Sequence, residues 1–180
     1  MAELLPDDDL VVKPERKGLV RLLDSAVTWW ALSGGFVFIA LVVMSIVSIV
    51  GRKLFSAPIE GDMELLMMMG AAVGSAAFLP VCEMHDHHIK VDALTTWMSE
   101  RARAALDAIA HALLMLAAIV ITWRTALYTL ECHENMEVSA LLLVPVWQPV
   151  ALMVPSFALL AAAALYRMLA STQLALGAKP

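Results

Sequence analysis

The sequence predicts an all-α membrane protein of four transmembrane helices, with a short amphipathic interfacial helix in the cytoplasmic loop between helices 2 and 3. Three observations predict it. Of 180 residues, 61% are hydrophobic and 16% charged, with mean hydropathy +0.79, whereas soluble domains are roughly 45–50% apolar and about 25% charged. The apolar residues fall into four runs with almost no charge, residues 25–51, 65–82, 104–123 (interrupted by Asp107) and 138–166, each long enough to span at about 20 residues per crossing. The chain between the runs is too short for a separate soluble domain.

The elements follow in order. Residues 1–17 carry Asp7, Asp8 and Asp9 where a signal peptide would have its apolar region, so a charged, irregular tail is expected rather than a cleaved leader. Helix is expected from about Gly18, entering the bilayer near Trp29 and Trp30 as interfacial markers and spanning about 29–51. The next loop holds Pro58 and Gly61, and Asp62 is expected to N-cap a second span over about 64–83. That span carries Gly70 and Gly74 at GxxxG spacing, where small residues let another helix approach, and Pro80 should kink or weaken its last turn. From Val91 the apolar positions suit an amphipathic helix lying in the interface. The third span is expected at about 104–124. The last run has 29 uncharged residues, about 43 Å of helix. Pro145 and Pro149 suit a later start, because proline is tolerated in a first turn. The fourth span is therefore placed at about 146–166, with Pro155 near its middle and a tail over 171–180.

Nine Lys and Arg residues fall on the side of the two termini and the second loop, against three (Arg52, Lys53 and Arg124) on the other. Both termini are thus expected in the cytoplasm. Cys82 and Cys132 are placed on opposite sides of the bilayer, Cys132 in an outer loop. That separation of about 30 Å is too far for a disulfide, which needs Cα atoms within about 7 Å. The net charge of −5 and the lack of a basic cluster argue against nucleic acid.

The polar residues set limits on chemistry. His85, His87 and His88 cluster in "HDHH", but no second Cys/His group completes a metal site, and a solvated turn is the simpler reading. His111 is the histidine well inside a span, and a haem held between two helices would need a partner at matching depth. Asp107 and His111 share a helix face, with Arg103 one turn before. Such intramembrane polar residues are functional candidates, yet an Arg103–Asp107–His111 chain of contacts is a sufficient structural reading. No nucleophile–base pair or phosphate loop occurs, so an enzyme is not expected.

Three stretches together resemble a known family, the small (DctQ-type) membrane subunit of tripartite ATP-independent periplasmic (TRAP) transporters. They are "GRKLFSAPIEGDMEL", "HIKVDAL" and "VSALLLVPVWQPVALMVPSFALL". The resemblance touches Arg52, Phe55, Pro58, Glu64, His88, Val91, Asp92, Pro145, Trp147 and Pro155. The acidic "IEGD" departs from an aromatic residue common there, and His85 and His87 stand beside the family histidine. The resemblance implies a scaffold subunit in the bacterial inner membrane. Its partners would be a large membrane subunit, which carries sodium-coupled transport, and a periplasmic solute-binding protein delivering an organic acid. It implies no cofactor on this chain. Glu60, Asp62, Glu131, Glu134 and Glu137 are candidates for docking the binding protein by position, and His88 and Asp92 for fixing the start of the interfacial helix. The alternatives from the residues are a haem-bearing anchor of a respiratory enzyme and a stand-alone structural membrane protein.

Overall fold

A computed structural model describes residues 18–54, 61–85 and 99–176. The expected tail over 1–17, the interfacial helix from Val91, and the sites Phe55, Pro58, Glu60, His87, His88, Val91 and Asp92 lie outside the described residues. The described residues form helices α1 (Leu19–Leu54), α2 (Asp62–Leu65), a π-helix (Leu66–Gly74), α3 (Ser75–Met84), α4 (Glu100–Glu134) and α5 (Trp147–Ala175). Among the described residues three helices, α1, α4 and α5, are long and apolar enough to cross a membrane. α2, the π-helix and α3 run on without a break.

α1 starts where expected. Gly18 turns in the left-handed region (φ 66°) and its carbonyl accepts from the amides of Arg21 and Leu22, a conformation most side chains disfavour. Trp30 turns toward α5. Its indole Nε1 donates to Ser156 Oγ of α5 at 2.8 Å, and Ser156 is fully buried. The indole N–H needs a partner once covered, so Trp30 pins α1 to α5, while Trp29 stays exposed.

The second apolar run departs from a plain α-helix. Nine residues, "LMMMGAAVG", form π-helix, longer than the single-turn bulges usually seen. Faces read at 3.6-residue spacing do not carry across such a stretch, yet both glycines still meet α1. A Cβ on Gly70 would sit 3.4 Å from Leu41 Cδ1, and one on Gly74 2.9 Å from Phe38 Cδ2. The tightest approach involves a glycine the spacing did not single out: a Cβ on Gly34 of α1 would collide with the Cβ of Ala77. Gly34→Ala is therefore expected to destabilise the chain by about 1–3 kcal/mol, as overpacking does. Gly74→Ala should cost less, because the Phe38 ring can turn aside. Unfolding of detergent-solubilised variants ranks the two, and an equal cost would refute close α1–α3 packing. Pro80, buried inside α3, does not end the helix, which runs to Met84.

α4 does not stop near Arg124 but continues to Glu134. It starts at an N-cap, Ser99, whose hydroxyl accepts from the Ala102 amide at 3.3 Å. Cys132 accordingly sits buried in the last turn of α4, not in a loop. α5 begins at Trp147, one residue after the expected start, and passes through Pro155 to Ala175. Among the described residues α4 packs along α5 and against no other helix backbone. α5 packs on α3 and the π-helix, which pack on α1. The core is accordingly small: Val27, Met84 and Ala163 are fully buried, flanked by Val20, Leu23, Val81, Leu159 and Tyr166. Broad apolar faces of α1 and α4 stay exposed, including Phe36, Ile39, Leu113 and Leu116.

Candidate functional site

At one end of the helices a buried ion-pair geometry joins α3 to α4. Glu83 is fully buried one residue before the end of α3, and His111 of α4 is 6% exposed. His111 Nδ1 lies 2.6 Å from Glu83 Oε1. With Glu83 ionised its oxygen accepts, so Nδ1 carries the proton and the ring orientation is set. The expectation that His111 bonds to Asp107 is corrected. Asp107, one turn away on the same helix, is replaced as the Nδ1 partner by a carboxylate from another element. Because the α3 and α4 backbones do not touch, these two side chains bridge the space between them.

Beside this pair, His85 follows α3 and closes on α1. Its Nδ1 lies 3.1 Å from the Val81 carbonyl and its Nε2 3.4 Å from Asp24 Oδ1. Both partners are acceptors, so the ring sits between a backbone carbonyl of α3 and a carboxylate of α1. One of the two histidines beside the family histidine, His85, thus links the end of α3 to the start of α1.

At the opposite end Glu64 organises the connection between α4 and α5. The chain from Val138 to Pro145 folds back on itself as an antiparallel bridge. The Ser139 amide donates to the Val144 carbonyl at 2.9 Å, and the Val146 amide to the Glu137 carbonyl at 3.0 Å. Three successive amides at its tip point at one carboxylate. Ala140 N donates to Glu64 Oε1 at 2.7 Å, and Leu141 N and Leu142 N each donate to Oε2 at 3.1 Å. Such a concave row of N–H groups is an anion cradle, filled here by a residue of the chain itself. Gly61 (φ 79°) lets the Leu142 side chain lie against it, where a Cβ would come within 2.5 Å of Leu142 Cγ. Met136 and Leu143 hold positive φ of 50° and 54°, uncommon for such side chains.

Asp62 is the first residue of α2, not its cap; Gly61 occupies the cap position without a side-chain bond. Its carboxylate turns to α1 instead. Oδ2 accepts from Ser48 Oγ at 2.5 Å and from Arg52 at 3.3 Å, while Oδ1 accepts from the Met63 amide at 2.8 Å. The Ser48 bond, then the Met63 amide and the Arg52 charge, hold the carboxyl below its ordinary range.

The remaining predicted residues spread out. Pro145 lies in the bridge with Val138. The Trp147 ring meets His133 edge-on at 5.2 Å. Pro155 precedes the buried Ser156. Glu137 Oε2 accepts from Cys132 Sγ at 3.4 Å and Oε1 from Asn135 at 3.4 Å, closing the end of α4, whereas Glu131 and Glu134 are exposed. Residue spacing does not point to Glu83, Ser48 or Ser156. Glu83 had a signal: it closes the charge-free run at a depth where His111 also lies.

Residues 39–174 match the model of a family described as "Tripartite ATP-independent periplasmic transporters, DctQ component". The chain belongs to the DctQ family. No curated protein and no solved structure matches it. The match runs from within α1 to the last turn of α5. In this DctQ-family chain it therefore takes in Glu64, Glu83, His111 and the folded-back connection between α4 and α5. The family is a transporter component, not an enzyme family.

Proposed function

We propose that the chain is the small scaffold subunit of a TRAP transporter in the bacterial inner membrane. It would support a large membrane subunit during sodium-coupled, binding-protein-dependent uptake of an organic acid. The family match carries this reading, and the exposed apolar faces of α1 and α4 suit lipid and a larger membrane partner. The continuous helix that begins at Asp62 carries the remaining span over about 64–83, with Asp62 just outside it. The uncharged stretch from Trp147 to the residue before Arg167 is about 30 Å of helix at 1.5 Å per residue, the thickness of the hydrocarbon core. On the count of Lys and Arg residues, the Glu64-bound connection faces the periplasm, and Glu83, His111 and both termini face the cytoplasm. The chain holds no cofactor of its own, and the complex draws on the sodium gradient.

The test is recovery of partners. A tagged chain co-expressed with its cognate large subunit should retain that subunit through purification in mild detergent. Vesicles containing both, given the binding protein and a sodium gradient, should accumulate solute, and omission of this chain should abolish uptake. A chain that purifies alone, with uptake indifferent to it, would leave the stand-alone structural reading in place.

A further inference from the structure

Arg124 does not fit a lipid-facing or loop position. The His133–Trp147 ring contact sets the register of the antiparallel pair α4 and α5 at one end. Arg124 lies nine residues down α4 from His133, about 14 Å at 1.5 Å per residue. The Trp147–Arg167 stretch of α5 is about 30 Å long on the same rise. Arg124 therefore falls near the middle of the span proposed above, level with the region of Pro155 and Ser156. It is exposed, and its side chain makes no hydrogen bond or ion pair among the described residues. Tyr128 (47% exposed) and the exposed Glu131 follow at i+4 and i+7 on the same helix face, and with Thr125 they line a shallow depression beside Arg124.

A guanidinium keeps its charge at any accessible pH. Within a span such a group faces protein or water and finds a counter-charge. In the span proposed above, headgroup phosphates lie near the Trp147 level, about 14 Å away along the helix, so lipid tails are the alternative neighbours at this depth. We propose that the α4 face of Arg124, Thr125, Tyr128 and Glu131 is a protein interface. Its occupant is a transmembrane segment of the large subunit that presents a carboxylate to Arg124. This rests on the scaffold reading, which supplies the partner. Planar carboxylate recognition by Arg is bidentate and directional, so it would set the register between the two subunits as well as holding them.

The experiment uses the tagged chain co-expressed with its large subunit. Arg124→Glu and Arg124→Leu should lower the co-purified large subunit about tenfold, the loss expected for one intramembrane polar contact. Arg124→Lys, which keeps the charge but loses the bidentate fork, should fall between the unsubstituted chain and Arg124→Leu. A photo-reactive phenylalanine analogue in place of Tyr128, in otherwise unchanged protein, should form an adduct with the mass of both subunits. This second measurement decides the matter if Arg124→Glu unfolds the chain. Full recovery with Arg124→Glu, or a Tyr128-position adduct to lipid alone, would overturn the interface. An unsubstituted chain that recovers no large subunit would overturn the scaffold reading instead.

Discussion

His111→Ala should be the most damaging single truncation in the chain. It removes the imidazole 2.6 Å from a carboxylate that has no exposed surface. Breaking a buried pair from one side costs about 3–5 kcal/mol, more than the roughly 1–2 kcal/mol of a neutral interhelical bond in a membrane. The effect should spread, because Glu83–His111 bridges helices whose backbones do not touch. His111→Gln, which can still donate to Oε1, should recover part of the loss. Unfolding in detergent with increasing denaturing surfactant measures both. If His111→Ala costs no more than the exposed Leu113→Ala, the pair is not a structural bridge.

Glu64→Ala should release the connection between α4 and α5. Three amides share this carboxylate, and no other side chain among the described residues takes them. Hydrogen exchange at Ala140, Leu141 and Leu142 should accelerate at least about tenfold, as for a segment that opens locally. The apolar middle of α5 should be unaffected. Glu64→Gln, with one acceptor oxygen in place of two, should fall between. Unchanged exchange in Glu64→Ala would show that the bridge between Val138 and Pro145 holds the segment alone. The left-handed backbone at Leu143 and Met136 should relax in the same variant, because local strain persists only while its surroundings enforce it.

How much of this was legible follows from the range of each interaction. The starts of α1 and α5 depend on adjacent residues. Gly18 must turn, and the prolines at 145 and 149 exclude an earlier regular start. Small residues at Gly70 and Gly74 signalled a close approach, and α1 makes it. The end of α4 was misplaced because Arg124 read as a boundary charge. A charge marks a membrane surface only if its own chain must satisfy it, and here the helix runs on past it. Asp62 read as a cap because the residue type and position suit one. Ser48 and Arg52, distant in sequence and close in space, claim its carboxylate.

The sequence by itself determined the class of the protein: apolar runs of spanning length, loops too short to fold alone, and the residue pattern that the DctQ family match reflects. These are properties of local composition and period, and water and lipid act on them segment by segment. Only the tertiary structure decided which polar groups meet. Glu83 took His111 from Asp107, Trp30 took Ser156, and Glu64 took three backbone amides 76 to 78 residues away. A buried donor or acceptor must find a partner wherever packing places one, and packing brings together residues that no sequence window contains.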